Sequence, residues 1–269
     1  MRFTLVYLFI FIGSNVFAQD FKGIPADLKK EIKLSREKQN IFPVATYFMG
    51  RPYSHFALSK SNPEKVYYSF QDFDCVTFIE NVLALYYSNG MDSSFVKHLI
   101  EFRYAHPLAI RYETRLHYLS SAFEKWTRLG FVNPIHGGME TQEKKNIHYL
   151  SSFLVGKNLE VNVDELRRSE NQISNVPFTY VARKDVALFL NQVKSGDIIA
   201  FVSKRNDLDF KHVGFITMVR GKAYLLHASQ EKKLICVSDQ DVFTYLMKHP
   251  QMIGIQVFRP NLHAASLSF

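Results

Sequence analysis

The spacing of apolar and polar positions changes character along the chain. Residues 26–37, 93–103 and 114–129 place apolar side chains at helical spacing among charged ones, the last stretch closing at Gly130, and each predicts a helix. Residues 162–175 are charged and predict a partial helix, and residues 185–193 predict a short one stopped by Ser195-Gly196. Residues 136–145 are polar, hold Gly137-Gly138 and predict a loop. In the last third the helical period disappears. Residues 197–202, 212–219, 223–227, 234–237 and 253–258 are short continuous apolar runs, the pattern of strands buried on both faces. Arg220-Gly221-Lys222 supplies a turn between two of them, and residues 241–248 predict one more helical segment. Helices first and about five strands later predict an α+β domain with a mostly antiparallel sheet.

Residues 1–18 stand apart from this pattern. Arg2 is followed by an apolar run over residues 5–12 and by Val16-Phe17-Ala18, which predicts a secretory signal peptide cut after Ala18. An uncleaved anchor is the alternative, but the run is shorter than the about 20 residues a spanning helix needs. No cysteine follows the cut to carry a lipid, no later segment is long and apolar enough to span, and no stable membrane anchor is expected. Residues 19–269 read as a single domain, with an insertion around 130–184.

Export to an oxidising compartment, the periplasm on this reading, makes ATP, nicotinamide cofactors and nucleic acid poor partners. The formal charge of +8 suits an acidic partner such as cell-wall sugar-peptides or a membrane surface, or simply a mildly basic solvated face. The basic residues are scattered and form no stripe for nucleic acid. Two cysteines exclude a disulfide-stapled miniprotein and a four-thiolate zinc site.

One of those cysteines has a distinctive setting. In Asp72-Phe-Asp-Cys-Val-Thr-Phe-Ile-Glu-Asn-Val-Leu-Ala-Leu-Tyr86, Asp74 is a good N-cap and Asn89-Gly90 a stop, so Cys75 opens a helix. Cys75, Ile79, Val82 and Tyr86 share one stripe. Unpaired N–H groups and the helix dipole at that position favour the thiolate, the nucleophilic form. The residues alone leave three readings open: a catalytic thiol, a bridge to Cys236, or inert packing. A thiol nucleophile needs a base. Of the histidines, His212 opens one predicted strand and His227 closes the next, so an antiparallel pairing sets both rings at one end of the sheet. Two structural histidines remain the alternative there. His117, in Arg115-Leu-His-Tyr118, is ambiguous.

Taken in order, Gly50-Arg-Pro-Tyr53, Asp74-Cys75, Ser195-Gly-Asp-Ile-Ile-Ala-Phe201, His212-Val-Gly-Phe215 and His227-Ala228 resemble the motifs of NlpC-type cell-wall cysteine hydrolases, which have a papain-like fold. The run Asp74-Cys-Val-Thr-Phe-Ile-Glu-Asn-Val-Leu-Ala-Leu85 departs from the common Asp-Cys-Ser-Gly. Together with Arg115-Leu-His-Tyr118, it is similar to the N-acetylmuramoyl-L-alanine amidase-like branch. The resemblance implies hydrolysis of the amide joining N-acetylmuramic acid to L-alanine in peptidoglycan or muropeptide fragments. D-glutamyl-diamino-acid cleavage or a non-catalytic wall-binding module are the alternatives. It implies Cys75 as nucleophile, His212 as base, His227 as the residue orienting it, and Tyr53, Asp74, Arg115 and His117 as substrate-side groups. No metal or other cofactor is implied. The rival enzyme readings are a zinc site on Cys75, His212 and His227, and acyl transfer by the same thiol.

The leader makes a direct prediction. Exported material should begin at Gln19 by N-terminal sequencing, and a chain retaining residues 1–18 would contradict cleavage.

Overall fold

The computed structural model describes residues 22–55, 58, 64–155, 157 and 161–263; the predicted signal peptide lies outside them. The first half is helical, with α1 (Ala26–Glu37), α2 (Phe42–Tyr47), α3 (Cys75–Ser88), α4 (Asp92–Arg103) and α5 (Leu119–Arg128). Short strands β1 (Val132–Pro134) and β2 (Glu140–Glu143) follow, then α6 (Tyr149–Leu154), α7 (Val163–Ser174), β3 (Phe178–Ala182) and α8 (Val186–Phe189). The chain ends in β4 (Ile198–Ser203), β5 (Phe210–Val219), β6 (Lys222–Ser229), β7 (Leu234–Asp241), α9 (Val242–Lys248) and β8 (Met252–Pro260).

Among the described residues these strands form one eight-stranded sheet in the order β2-β3-β8-β4-β5-β6-β7, with β1 also paired to β8 and every ladder antiparallel. The α+β class and the antiparallel sheet are as the sequence predicts, but the strand count is eight rather than five. The additional β1, β2 and β3 all come from the 130–184 segment. They escape a hydrophobicity reading because β1 has 3 residues and β2 is the polar Glu-Thr-Gln-Glu, which turns part of the expected 136–145 loop into an edge strand. The predicted 114–129 helix is likewise shorter. A 3-10 turn over Tyr112–Thr114 precedes α5, which starts only at Leu119.

The apolar runs lack alternation because both faces of the sheet are covered. All six residues of β4 are buried. Ile198, Ala200 and Val202 join the core that includes Phe78, Ile79 and Val82 of α3, while Ile199 and Phe201 face Val186 and Phe189 of α8 and Val242 and Leu246 of α9. Gly254 is where β3 crosses close to β8; a Cβ there would collide with the Val181 carbonyl and the Tyr180 ring.

Helix α3 is buried all round from Thr77 to Ser88, more than the single stripe its sequence suggests. One charge goes in with it. Glu80 meets Arg103 of α4 at 2.8 Å, both side chains at most 4% exposed, and Arg103 also donates to the Tyr67 carbonyl. Burial pushes the Glu80 carboxyl up while Arg103 pulls it down. Replacing Glu80 by Leu strands the guanidinium in the core. It is expected to cost about 3–5 kcal/mol in urea unfolding, whereas a change below 1 kcal/mol would mean that the pair does not anchor α3 to α4.

Candidate active site

The helix starts where it does because Asp74 caps it. Its backbone is extended, and its Oδ1 accepts from the N–H groups of Val76 (3.0 Å) and Thr77 (2.7 Å). The Asp74 N–H in turn donates to Thr77 Oγ1 at 3.0 Å, a reciprocal capping box that fixes Cys75 in the first turn. The segment before the cap is held as well. Phe73 pairs with the Pro52–Tyr53 stretch through Phe73 N–H to Pro52 O (3.1 Å) and Ser54 N–H to Phe73 O (2.8 Å). That stretch is bonded to the start of β7 by Gly50 N–H to Ile235 O, Ile235 N–H to Arg51 O and Tyr53 N–H to Lys233 O, each 2.8 Å. Gly50, at φ +81°, makes the turn into this strap. The Gly-Arg-Pro-Tyr motif thus ties the thiol-bearing helix to the sheet and brings Tyr53 beside Cys75.

The sheet supplies the other half. The β5–β6 ladder runs from Val219↔Lys222 to Phe215↔Leu226 and then stops; β5 continues along β4 as far as Phe210, and β6 along β7 as far as Ser229. His212 and His227 stand where the two strands part, His212 Nε2 and His227 Nδ1 2.6 Å apart and the rings at 76°. Gly214 permits the approach, since a Cβ there would come within 3.0 Å of the Leu225 side chain, the Leu226 carbonyl and His227 Cβ. Helix α3 packs on β5 and β6 at this opening, with the Cys75 sulfur against the backbone N–H of Val213, the residue after His212.

Burial governs the electrostatics. The Cys75 side chain keeps a partial opening to solvent, yet the crowding around it, followed by the Asp74 carboxylate, pushes its pKa up to about 12. The N–H groups of Val213, Cys75 and Val76 act the other way and do not prevail. The expectation that the helix start lowers the thiol pKa is therefore corrected, because desolvating a thiolate outweighs a few aligned N–H groups here. Burial also takes His227 down to about 4, with Lys232 and His249 adding to it. His212 is driven well below its ordinary range by burial and then by His227, His249 and Lys211. At neutral pH the site therefore holds a protonated thiol beside two neutral imidazoles.

Tyr53 and Asp74 lie beside Cys75, whose sulfur meets the N–H of Val213, and the adjoining His212 is bonded to His227. Burial, then the charge a thiolate would carry at Cys75 and that of Asp74, hold the Tyr53 phenol protonated. Arg115 and His117 are engaged elsewhere. Arg115 Nε donates to Glu64 Oε1 at 2.6 Å and Nη2 to the Leu58 carbonyl at 2.7 Å, while His117 Nε2 contacts the Tyr112 carbonyl at 2.7 Å. Cys236 lies opposite His227 in the β6–β7 ladder, and neither cysteine is bridged. Among the described residues no group of three His, Cys, Asp or Glu side chains is arranged to hold a metal ion. Two contributors are missing from the sequence reading, Tyr245 and His249 of the α9 region. Tyr245 lies 5.7 Å from the His227 ring and 4.2 Å from that of His249. Their spacing of four along a helical segment was the available signal, but nothing local says that the segment lies over the histidines.

Residues 43–255 match the model of the AmiA-like family, described as N-acetylmuramoyl-L-alanine amidase-like. The chain belongs to this family of amidase-like cell-wall hydrolases. Two crystal structures of an N-acetylmuramoyl-L-alanine amidase from Bacteroides uniformis superpose on it with TM-scores of 0.75, at 26% and 27% identity, covering 86% and 87% of this chain and 99% of theirs. A structure from Bacteroides fragilis described as that of a xylanase is 25% identical with a TM-score of 0.73, covering 80% of this chain and 98% of its own. No curated protein matches the chain. Among the described residues this site gathers a thiol, imidazoles and phenols beside one carboxylate, Asp74, whose Oδ1 caps the helix, whereas a glycosidase uses two opposed carboxylates.

The protonated thiol has a measurable consequence in this amidase-like protein. With the pKa raised, the thiolate is scarce at neutral pH, and iodoacetamide labelling of Cys75, followed by peptide mass spectrometry, should keep rising to beyond about pH 9. A plateau already reached below about pH 7 would instead indicate a resting thiolate–imidazolium pair.

Proposed function

We propose that the protein is an exported, cysteine-dependent N-acetylmuramoyl-L-alanine amidase acting on peptidoglycan or its muropeptide fragments. The observation that carries this reading is the 2.6 Å contact between His212 and His227 at the strand opening where the helix begun by Cys75 is packed. The family and the Bacteroides uniformis amidases support the bond chosen. The predicted leader over residues 1–18 supports export to the periplasm, where that substrate lies. A helix opening on a nucleophile and packed on an antiparallel sheet that carries the base supports the papain-like reading of the fold.

The chemistry follows from neutral partners. With the Nε2 proton of His212 donated to His227 Nδ1, His212 Nδ1 is left as an acceptor. As the Cys75 sulfur bonds to the lactyl carbonyl carbon, its proton passes to His212, and the new imidazolium is stabilised through its bond to His227. The carbonyl oxygen gains negative charge and is met by the Cys75 backbone N–H at the helix start and by the protonated Tyr53 hydroxyl. His212 then gives its proton to the alanyl nitrogen, the C–N bond breaks, and the peptide leaves with a free amine. Water adds to the resulting thioester, its proton going to His212. Collapse releases the lactyl carboxylic acid and restores the thiol. Arg115 and His117, occupied by Glu64, Leu58 and Tyr112, support the loop beside α4 in this scheme rather than binding substrate.

Muropeptides incubated with the wild type should yield, by mass spectrometry, peptides beginning with L-alanine together with free N-acetylmuramic acid. Cys75→Ala and His212→Ala should each lower the rate by at least about 1,000-fold. Products cut between D-glutamate and the diamino acid would replace this reading with the endopeptidase one, and full activity in Cys75→Ala would remove the thiol mechanism.

A further inference from the structure

Tyr245 is gathered at the thiol, and the mechanism above leaves it unused. Its ring lies 6.3 Å from that of His212, 5.7 Å from that of His227 and 5.3 Å from that of Phe201. The position is set by a capped helix, not by a loop, since Asp241 Oδ1 accepts the Thr244 N–H at 2.9 Å. The ring also packs on His249, whose Nδ1 contacts the Tyr245 carbonyl at 2.6 Å. Burial, and then the charge a thiolate would carry at Cys75, hold the phenol at about 12, so it is a hydrogen-bond donor at working pH. Among the described residues that hydroxyl has no partner, whereas the buried phenols of Tyr87, Tyr104 and Tyr118 donate to the Phe131 carbonyl, Glu64 and Glu170. A half-buried phenol beside the candidate nucleophile, with no protein partner, is free to donate to a ligand.

The geometry also says which part of the ligand. The acyl oxygen is received at the helix start, by the Cys75 N–H and Tyr53. The departing nitrogen must take its proton from His212, so it leaves on the histidine side, where Tyr245 packs beside both imidazoles. We propose that the Tyr245 hydroxyl binds the leaving half of the substrate, donating to the alanyl carbonyl oxygen, the first acceptor beyond the departing nitrogen, and so selects for a peptide as leaving group. The assignment rests on the amide-hydrolysis reading above and names the group that recognises its leaving side.

The test compares N-acetylmuramoyl-L-alanyl peptide with an N-acetylmuramoyl anilide, whose leaving amine has no carbonyl. Tyr245→Phe keeps the ring and removes the donor. It should lower kcat/KM for the peptide roughly tenfold, leave the anilide within about twofold, and leave Cys75 labelling by iodoacetamide unchanged. Equal rates on both substrates in the variant and the wild type, an equal loss on both, or altered labelling would each overturn the proposal. If the wild type instead cuts the D-glutamyl-diamino-acid bond, the amidase reading falls, while the same peptide-against-anilide comparison at that bond still decides the role of Tyr245. A wild type that cuts neither overturns both.

Discussion

The bond between the two imidazoles at the mouth of the β5–β6 opening exists only while the pair carries at most one extra proton. Two imidazolium rings offer only donors to each other, and at 2.6 Å they would repel. The surroundings enforce neutrality. Burial lowers both histidines, and Lys211, Lys232 and His249 push in the same direction. The same burial raises the thiol. The resting thiol and imidazoles are thus uncharged, and in the proposed mechanism charge separation is confined to the moment when the thiol proton moves onto His212. His227 then becomes a partner for a cation rather than a second cation.

That arrangement needs the sulfur delivered to the opening from the other half of the chain. Three local devices do so, and each has a sequence signature with a physical reason behind it. The Asp74–Thr77 capping box sets the first residue of α3. The Gly50–Tyr53 strap bonds that start to β7. The Glu80–Arg103 pair holds the buried helix against α4. A charged pair in the core is an expensive way to gain stability, and here it fixes the helix that carries Cys75.

Much of the candidate site could be named from the sequence because its parts are local. A capped helix start at Asp74-Cys75 and histidines at facing strand ends can be recognised from a few residues each. The five strands β4 to β8 were legible for a related reason, since burial on both faces leaves unbroken apolar runs such as Ile198 to Val202 in β4. What escaped were features set by tertiary contacts. The edge strand Glu140–Glu143 has no hydrophobic signal because its partner β3, not its own sequence, makes it a strand. The raised thiol pKa depends on how deeply the sulfur is enclosed, which no spacing reveals. Tyr245 and His249 lie on a short helix whose place over the histidines follows from the β7–β8 connection.

The polar edge strand has a consequence beyond topology. A sheet of this width ends in unpaired backbone groups that another chain could extend, and β2 presents that end with two glutamates in four residues. Stacking a second copy in register would bring like charges together with little apolar area to offset them. The 130–184 segment, which supplies this strand, therefore also closes one rim of the molecule against fibre-like growth.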